Sequence, residues 1–119
     1  MKGENVILEK TYKFGLRVLK LVIHLRKKKV DAVLCSQLLS SGTSIGANVE
    51  EAMGGSSRKD FINKIQIAYR EARETRYWLR LLRDSEIMEL KMAESFLKDC
   101  EEIIRILTAI LNSSKAKNS

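Results

Sequence analysis

Apolar residues recur at three- and four-residue steps along nearly all of this 119-residue chain, the spacing that gives a helix one buried face. In the first segment, about residues 5–26, Leu8, Tyr12, Leu16, Leu19 and Ile23 make one such line, read here as the core face. A second line, Ile7, Phe14, Val18, Leu21 and Leu25, lies on another side of the same helix. Two lines predict a helix covered twice, once inside its own bundle and once by something outside it. Arg26 to Lys29 close the segment, cations being favoured at a helix C-terminus.

The second helix is expected over 30–53. Leu34, Leu38, Ile45, Val49 and Ala52 keep the period through a stretch of small side chains from Ser40 to Ala52. Gly42 and Gly46 are four apart and stack on one side, where they allow close approach of a neighbouring helix. The alternative is a break, with Gly42 ending one helix and Asn48 capping the next, since a glycine inside a helix costs about 1 kcal/mol relative to alanine. Gly54-Gly55-Ser56-Ser57 is a stop and restart, with Ser57 placed as N-cap and Asp60 three residues on.

A third helix follows over 58–84 with Phe61, Ile65, Ala68, Ala72, Thr75, Leu79 and Leu82 as its core line. Ile67, Trp78 and Leu81 lie off that line. With the second apolar line of the first helix, they are the expected contact to another subunit. A fourth helix, 88–111, is expected to bury Ala93, Phe96, Leu97, Cys100, Ile103, Ile104, Leu107 and Ile110, with a frayed polar tail after it. Short connections between long amphipathic helices make this an all-α, antiparallel up-down-up-down four-helix bundle of one domain, 1–119. The absence of proline agrees. No apolar run is long enough to span a bilayer, no secretory signal opens the chain, and the expected location is the cytoplasm.

Catalytic chemistry finds little to work with. His24 is the one histidine and stands on a basic helix with no serine or carboxylate at a suggestive spacing. Cys35 and Cys100 fall on apolar helix faces and read as buried thiols. Neither a zinc set nor the Glu-x-x-His pairs of a di-metal bundle is present, and no glycine-rich loop follows a strand. The expectation is no enzyme, no metal and no cofactor.

Charge carries the stronger signal. The chain is +7, with nine basic and two acidic residues in 1–29 and eight and four in 58–85. Lys10, Lys13, Arg17, Lys20, His24 and Lys27 line one face of the first helix. Arg70, Arg73, Arg76, Arg80 and Arg83 occupy an arc of about 140° on the third at 3.6 residues per turn. Arginine's planar fork suits phosphate, and a basic stripe is the footprint of nucleic-acid binding. A solvated face partly neutralised by pairs such as Glu9–Lys13 is the competing reading. Lys13, Arg17, Lys20, Arg70, Arg73 and Arg80 are the candidate contacts to RNA or DNA.

The run Ser36-Gln37-Leu38-Leu39 through Ser41-Gly42-Thr43-Ser44-Ile45-Gly46-Ala47-Asn48-Val49-Glu50-Glu51-Ala52 resembles the signature of a bacterial four-helix-bundle family named for proteins encoded in intervening sequences of 23S rRNA genes. Lys59-Asp60-Phe61-Ile62-Asn63-Lys64, Ile67-Ala68, Glu71-Ala72, Glu74-Thr75 and Tyr77-Trp78-Leu79-Arg80-Leu81-Leu82 look like its second block. A similar signature occurs in the accessory protein of diversity-generating retroelements, a basic pentameric barrel that binds its reverse transcriptase and nucleic acid. The resemblance implies the fold, a homopentamer, and a reverse transcriptase or other protein as a further partner. It gives the signature a structural role: Gly42 and Gly46 for close packing, Asn48 for a hydrogen bond across helices, and Glu50 or Glu51 for pairing with third-helix arginines.

Overall fold

The computed structural model describes residues 2–55 and 57–118, and the side chains of 6–55 and 57–115. Four helices follow one another: α1 (Lys2–Lys27), α2 (Ala32–Met53), α3 (Arg58–Asp84) and α4 (Leu90–Asn118). No strand occurs among the described residues. Sequential helices pack side by side, α1 also lies against α4, and α1–α3 and α2–α4 are diagonals without contact. Val18 over Gly42 and Thr11 over Gly46, like Arg17 with Asp99 and Lys10 with Glu102, run in opposite residue order, so α1 is antiparallel to α2 and to α4.

Local chemistry sets the ends of these helices. Asp31 caps α2, its carboxylate accepting the Leu34 N–H at 2.9 Å, and Ser57 caps α3, its hydroxyl accepting from Asp60 N at 3.1 Å. Lys29 takes a left-handed conformation (φ 61°). Its N–H reaches the Arg26 carbonyl, and the Val30 N–H reaches that of Leu25, each at 3.0 Å. That pair of bonds is a Schellman stop. Helix α4 starts at Leu90 rather than 88, because Glu86 is left-handed (φ 64°) and the Met88 N–H turns back to the Leu82 carbonyl. It continues well past Leu111, with Ser114 buried, so the expected tail is helical as far as Asn118.

Helix α2 is unbroken through Gly42, Gly46 and Asn48, which removes the alternative of a break. Both glycines are buried against α1. A β-carbon on Gly42 would lie 2.7 Å from Val18 Cγ1, and one on Gly46 would lie 3.1 Å from the Thr11 carbonyl oxygen. This notch explains a reversal on α1. The line expected to face the core, Tyr12, Leu16, Leu19 and Ile23, is 41–64% exposed, with Leu8 half-buried. The second line, Ile7, Phe14, Val18, Leu21 and Leu25, is the buried one and Val22 joins it. Both lines have helical spacing, but only the second puts Val18 and Thr11 over the two glycines.

Core positions of α3 and α4 follow the expected lines, except that Phe61, Ile104 and Ile110 are half-buried. Between α2 and α3 the buried hydroxyls of Thr75 and Ser41 meet at 2.9 Å. Cys35 and Cys100 are free and buried. Burial pushes the Cys100 thiol up to about 12, well away from the range in which a thiolate forms.

Candidate nucleic-acid interface

The two basic stripes sit on diagonal helices and have different surroundings. On α1, facing α4, Lys10 pairs with Glu102 at 2.7 Å and Arg17 with Asp99 at 2.6 Å. Arg17 also donates to Ser95 Oγ at 3.2 Å and stacks 4.0 Å from the centre of the Phe96 ring. Phe96 in turn meets Phe14 edge-on. Lys13 pairs with Glu9 one turn away at 2.6 Å. The Lys10 hydrogen bond and charge hold Glu102 below the usual carboxylate range, and Glu102 raises Lys10. The Lys13 hydrogen bond does the same to Glu9. Of the three α1 candidates, Lys13 and Arg17 are thus neutralised within the chain. Lys20 is exposed and has no ion pair among the described residues; it shares a shallow apolar hollow with Arg17, His24, Met92 and Phe96.

On α3, Arg70, Arg73 and Arg80 are exposed. Arg73 lies over the Tyr69 ring at 5.8 Å and donates to its hydroxyl at 3.3 Å. Arg70 and Arg80 make no ion pair among the described residues. Glu71, half-buried, is raised by burial and then by Glu74, with Arg70 working against both. Arg80 also faces α4 across a cleft of about 410 Å³ whose other cations include Lys98 and Arg105. Neither α4 residue was among the sequence candidates. Lys91, Lys98 and Arg105 do recur at seven-residue steps, but the six acidic residues of 86–119 mask them in any count of charge.

Of the signature residues, Gly42 and Gly46 pack against α1, and Asn48, Glu50 and Glu51 do not bridge helices among the described residues. Asn48 donates to the Ser44 carbonyl of its own helix at 2.8 Å, rather than across helices as expected, because its turn of α2 offers that carbonyl four residues back. Glu50 and Glu51 are exposed, and neither pairs with an α3 arginine among the described residues. Glu50 instead rims a groove of about 350 Å³ between α1 and α2, with Tyr12, Leu16 and Leu19 on one side and Thr43, Gly46 and Ala47 on the other. Of the expected interface residues, Ile67 and Trp78 are half-buried and Leu81 is exposed. The Trp78 indole N–H donates to Glu74 at 3.2 Å.

With these helices and seams in place, the comparison with known proteins is decisive. The sequence pattern of the 23S rRNA-intervening sequence proteins matches residues 3–109. The chain belongs to that family. It is also similar to a crystal structure of a protein with unknown function from the S23 ribosomal protein family of Bacteroides thetaiotaomicron, with 42% identity and a TM-score of 0.89. The match covers 92% of this chain and 98% of that one. No curated protein matches. Among the described residues, no helix of this family member is long and apolar enough to cross a membrane, and no three His, Cys, Asp or Glu side chains are grouped to hold a metal.

Proposed function

We propose that this protein is a non-catalytic, self-associating bundle of the cytoplasm that binds RNA or DNA through the basic surface of α3. The observation that carries the reading is the contrast between the two stripes. On α1, Lys10, Lys13 and Arg17 each have a carboxylate within 2.7 Å. On α3, Arg70 and Arg80 have none among the described residues, and Arg73 rests on a tyrosine instead of an acid. Charge left uncompensated on one side of a +7 chain attracts polyanions. Phosphate contacts of this kind position a nucleic acid without reading its sequence.

Replacing Arg70, Arg73 and Arg80 together by glutamine tests this in an anisotropy titration against RNA and DNA oligonucleotides. All three side chains are exposed, so the fold should persist. Affinity should fall for every sequence alike, and the dependence on salt should flatten by about 2 in log–log slope for single strands. Unchanged affinity and slope would return the surface to α1 and the Arg26–Lys29 cluster.

Self-association has its own support. Tyr12, Leu16, Leu19 and Ile23 form an exposed apolar line about three turns long, and the flanking groove over α2 is floored by small side chains. A second copy of this chain is the proposed cover, with Ile67, Trp78 and Leu81 of α3 as the complementary patch. Two different patches on one chain make a head-to-tail contact, which closes into a ring when the rotation allows; the proposed ring is a pentamer.

A further inference from the structure

The cleft between α3 and α4 differs from a solvated basic face. Arg76, Arg80 and Arg83 line it from α3 at positions i, i+4 and i+7, and Lys98 and Arg105 line it from α4, seven apart. At 1.5 Å rise per residue each row is about 10 Å long, so two matched rows of cations face each other. Glu94 and Glu101 are the acids of the lining, and Asp84 takes up Arg83 at 2.7 Å. Five cations thus meet three carboxylates, whereas Lys10, Lys13 and Arg17 of the α1 stripe each have their own. Arg80, Lys98 and Arg105 make no ion pair or hydrogen bond among the described residues.

Arg76 shows that the positive charge is built into the cleft wall. Its Nε is closed off from solvent and has no hydrogen bond. The nearest carboxylate oxygen, Glu101 Oε2, is 3.5 Å away. Buried donors without a partner are rare and call for a reason. Arg76 lines the cleft with its side chain 42% exposed, so a guanidinium whose Nε lacks a hydrogen bond is within reach of an anion there.

We infer that this cleft holds the phosphodiester backbone of a single nucleic-acid strand. The inference rests on the nucleic-acid reading above and gives it a location. Two rows of about 10 Å offer cationic contacts to successive phosphates of one strand. No aromatic side chain lines the cleft, so there is no aromatic platform for bases and the contact is chiefly with the backbone. A duplex, wider than one strand, is expected to meet the rim of a cleft of about 410 Å³ rather than fill it.

The test is an anisotropy titration of the full chain with one labelled oligonucleotide, single-stranded and as a duplex, at two salt concentrations. The variant is Lys98→Gln with Arg105→Gln, both exposed and both outside the α3 surface already proposed. The charge-matched control is Arg58→Gln with Lys59→Gln, exposed at the other end of α3. The cleft pair should weaken single-strand binding by about tenfold and flatten the salt slope by about 1.4, with the control pair losing about threefold or less. Equal losses from the two pairs, or tighter binding of duplex than of single strand, would overturn the cleft and leave the nucleic-acid reading standing. Failure of the unmodified chain to bind either form at low salt would overturn both.

Discussion

Along the α1–α2 seam a β-carbon fits at Gly15, collides at Gly42 and is tightly confined at Gly46. At Gly15 it would sit 3.9 Å from the nearest atoms of α2, an ordinary contact. At Gly42 it would strike fully buried Val18, and at Gly46 it would meet backbone, which cannot step aside. Gly15→Ala should therefore raise stability by up to about 1 kcal/mol through helix propensity. Gly46→Ala should lower it by about 1–3 kcal/mol despite the same propensity gain. Denaturant midpoints of the two variants check this, and a stabilising Gly46→Ala would show that the seam is not close-packed. The four-residue spacing of Gly42 and Gly46 was legible in the sequence. Their partner was not, because spacing says which side of a helix is thin but not which helix lies against it. The same limit applies to Asn48, whose amide could be foreseen to need a partner but not that the partner would be in its own helix.

At the level of helices, the sequence made the four segments and their order plain, because helical periodicity and the turn residues between segments are local signals. It also exposed the double apolar character of α1. Which line faces inward was decided by the register against α2, a non-local fact, and the structure reverses the reading. The exposed line now makes the assembly prediction sharper. Leu16→Glu with Ile23→Glu alters no core contact, so the variant should fold, and light scattering should report a smaller species than the closed oligomer of the parent. A monomeric parent would contradict self-association. The α1–α4 contact has a pH signature. Glu102 is held below the ordinary glutamate value of 4.5, so its contribution is complete above 4.5 and is lost as pH falls through the lowered value. Lys10 is held above 10.5, so its contribution is complete below 10.5 and is lost as pH rises beyond the raised value. Thermal melts at low salt should show acid loss of stability, with Lys10→Met losing less than the parent. An identical acid loss in Lys10→Met would mean that the pair is inert. The effect should be modest, since both side chains are about two-fifths exposed.

For the whole molecule, a net charge of +7 says that polyanions are attracted but not where. The fold supplies the location by bringing Asp99 and Glu102 of α4 against α1 while Lys98 and Arg105, on the same helix, turn toward α3. A balanced count along α4 conceals an acidic side toward α1 and a mixed side toward α3, where Lys98 and Arg105 stand beside Glu94 and Glu101. That separation depends on which side of α4 each neighbour occupies, and helix spacing shows it only once the bundle is known. The uncompensated face is proposed to bind nucleic acid by charge and not by sequence. The most direct measurement is the affinity of the unmodified chain for unrelated RNA and DNA sequences as salt is raised. Tight binding at low salt, near-equal affinity across sequences, and a linear fall of log affinity with log salt are expected. A slope of about −0.7 per phosphate contacted is expected on single strands. No binding at low salt, or binding that is indifferent to salt, would contradict that proposal.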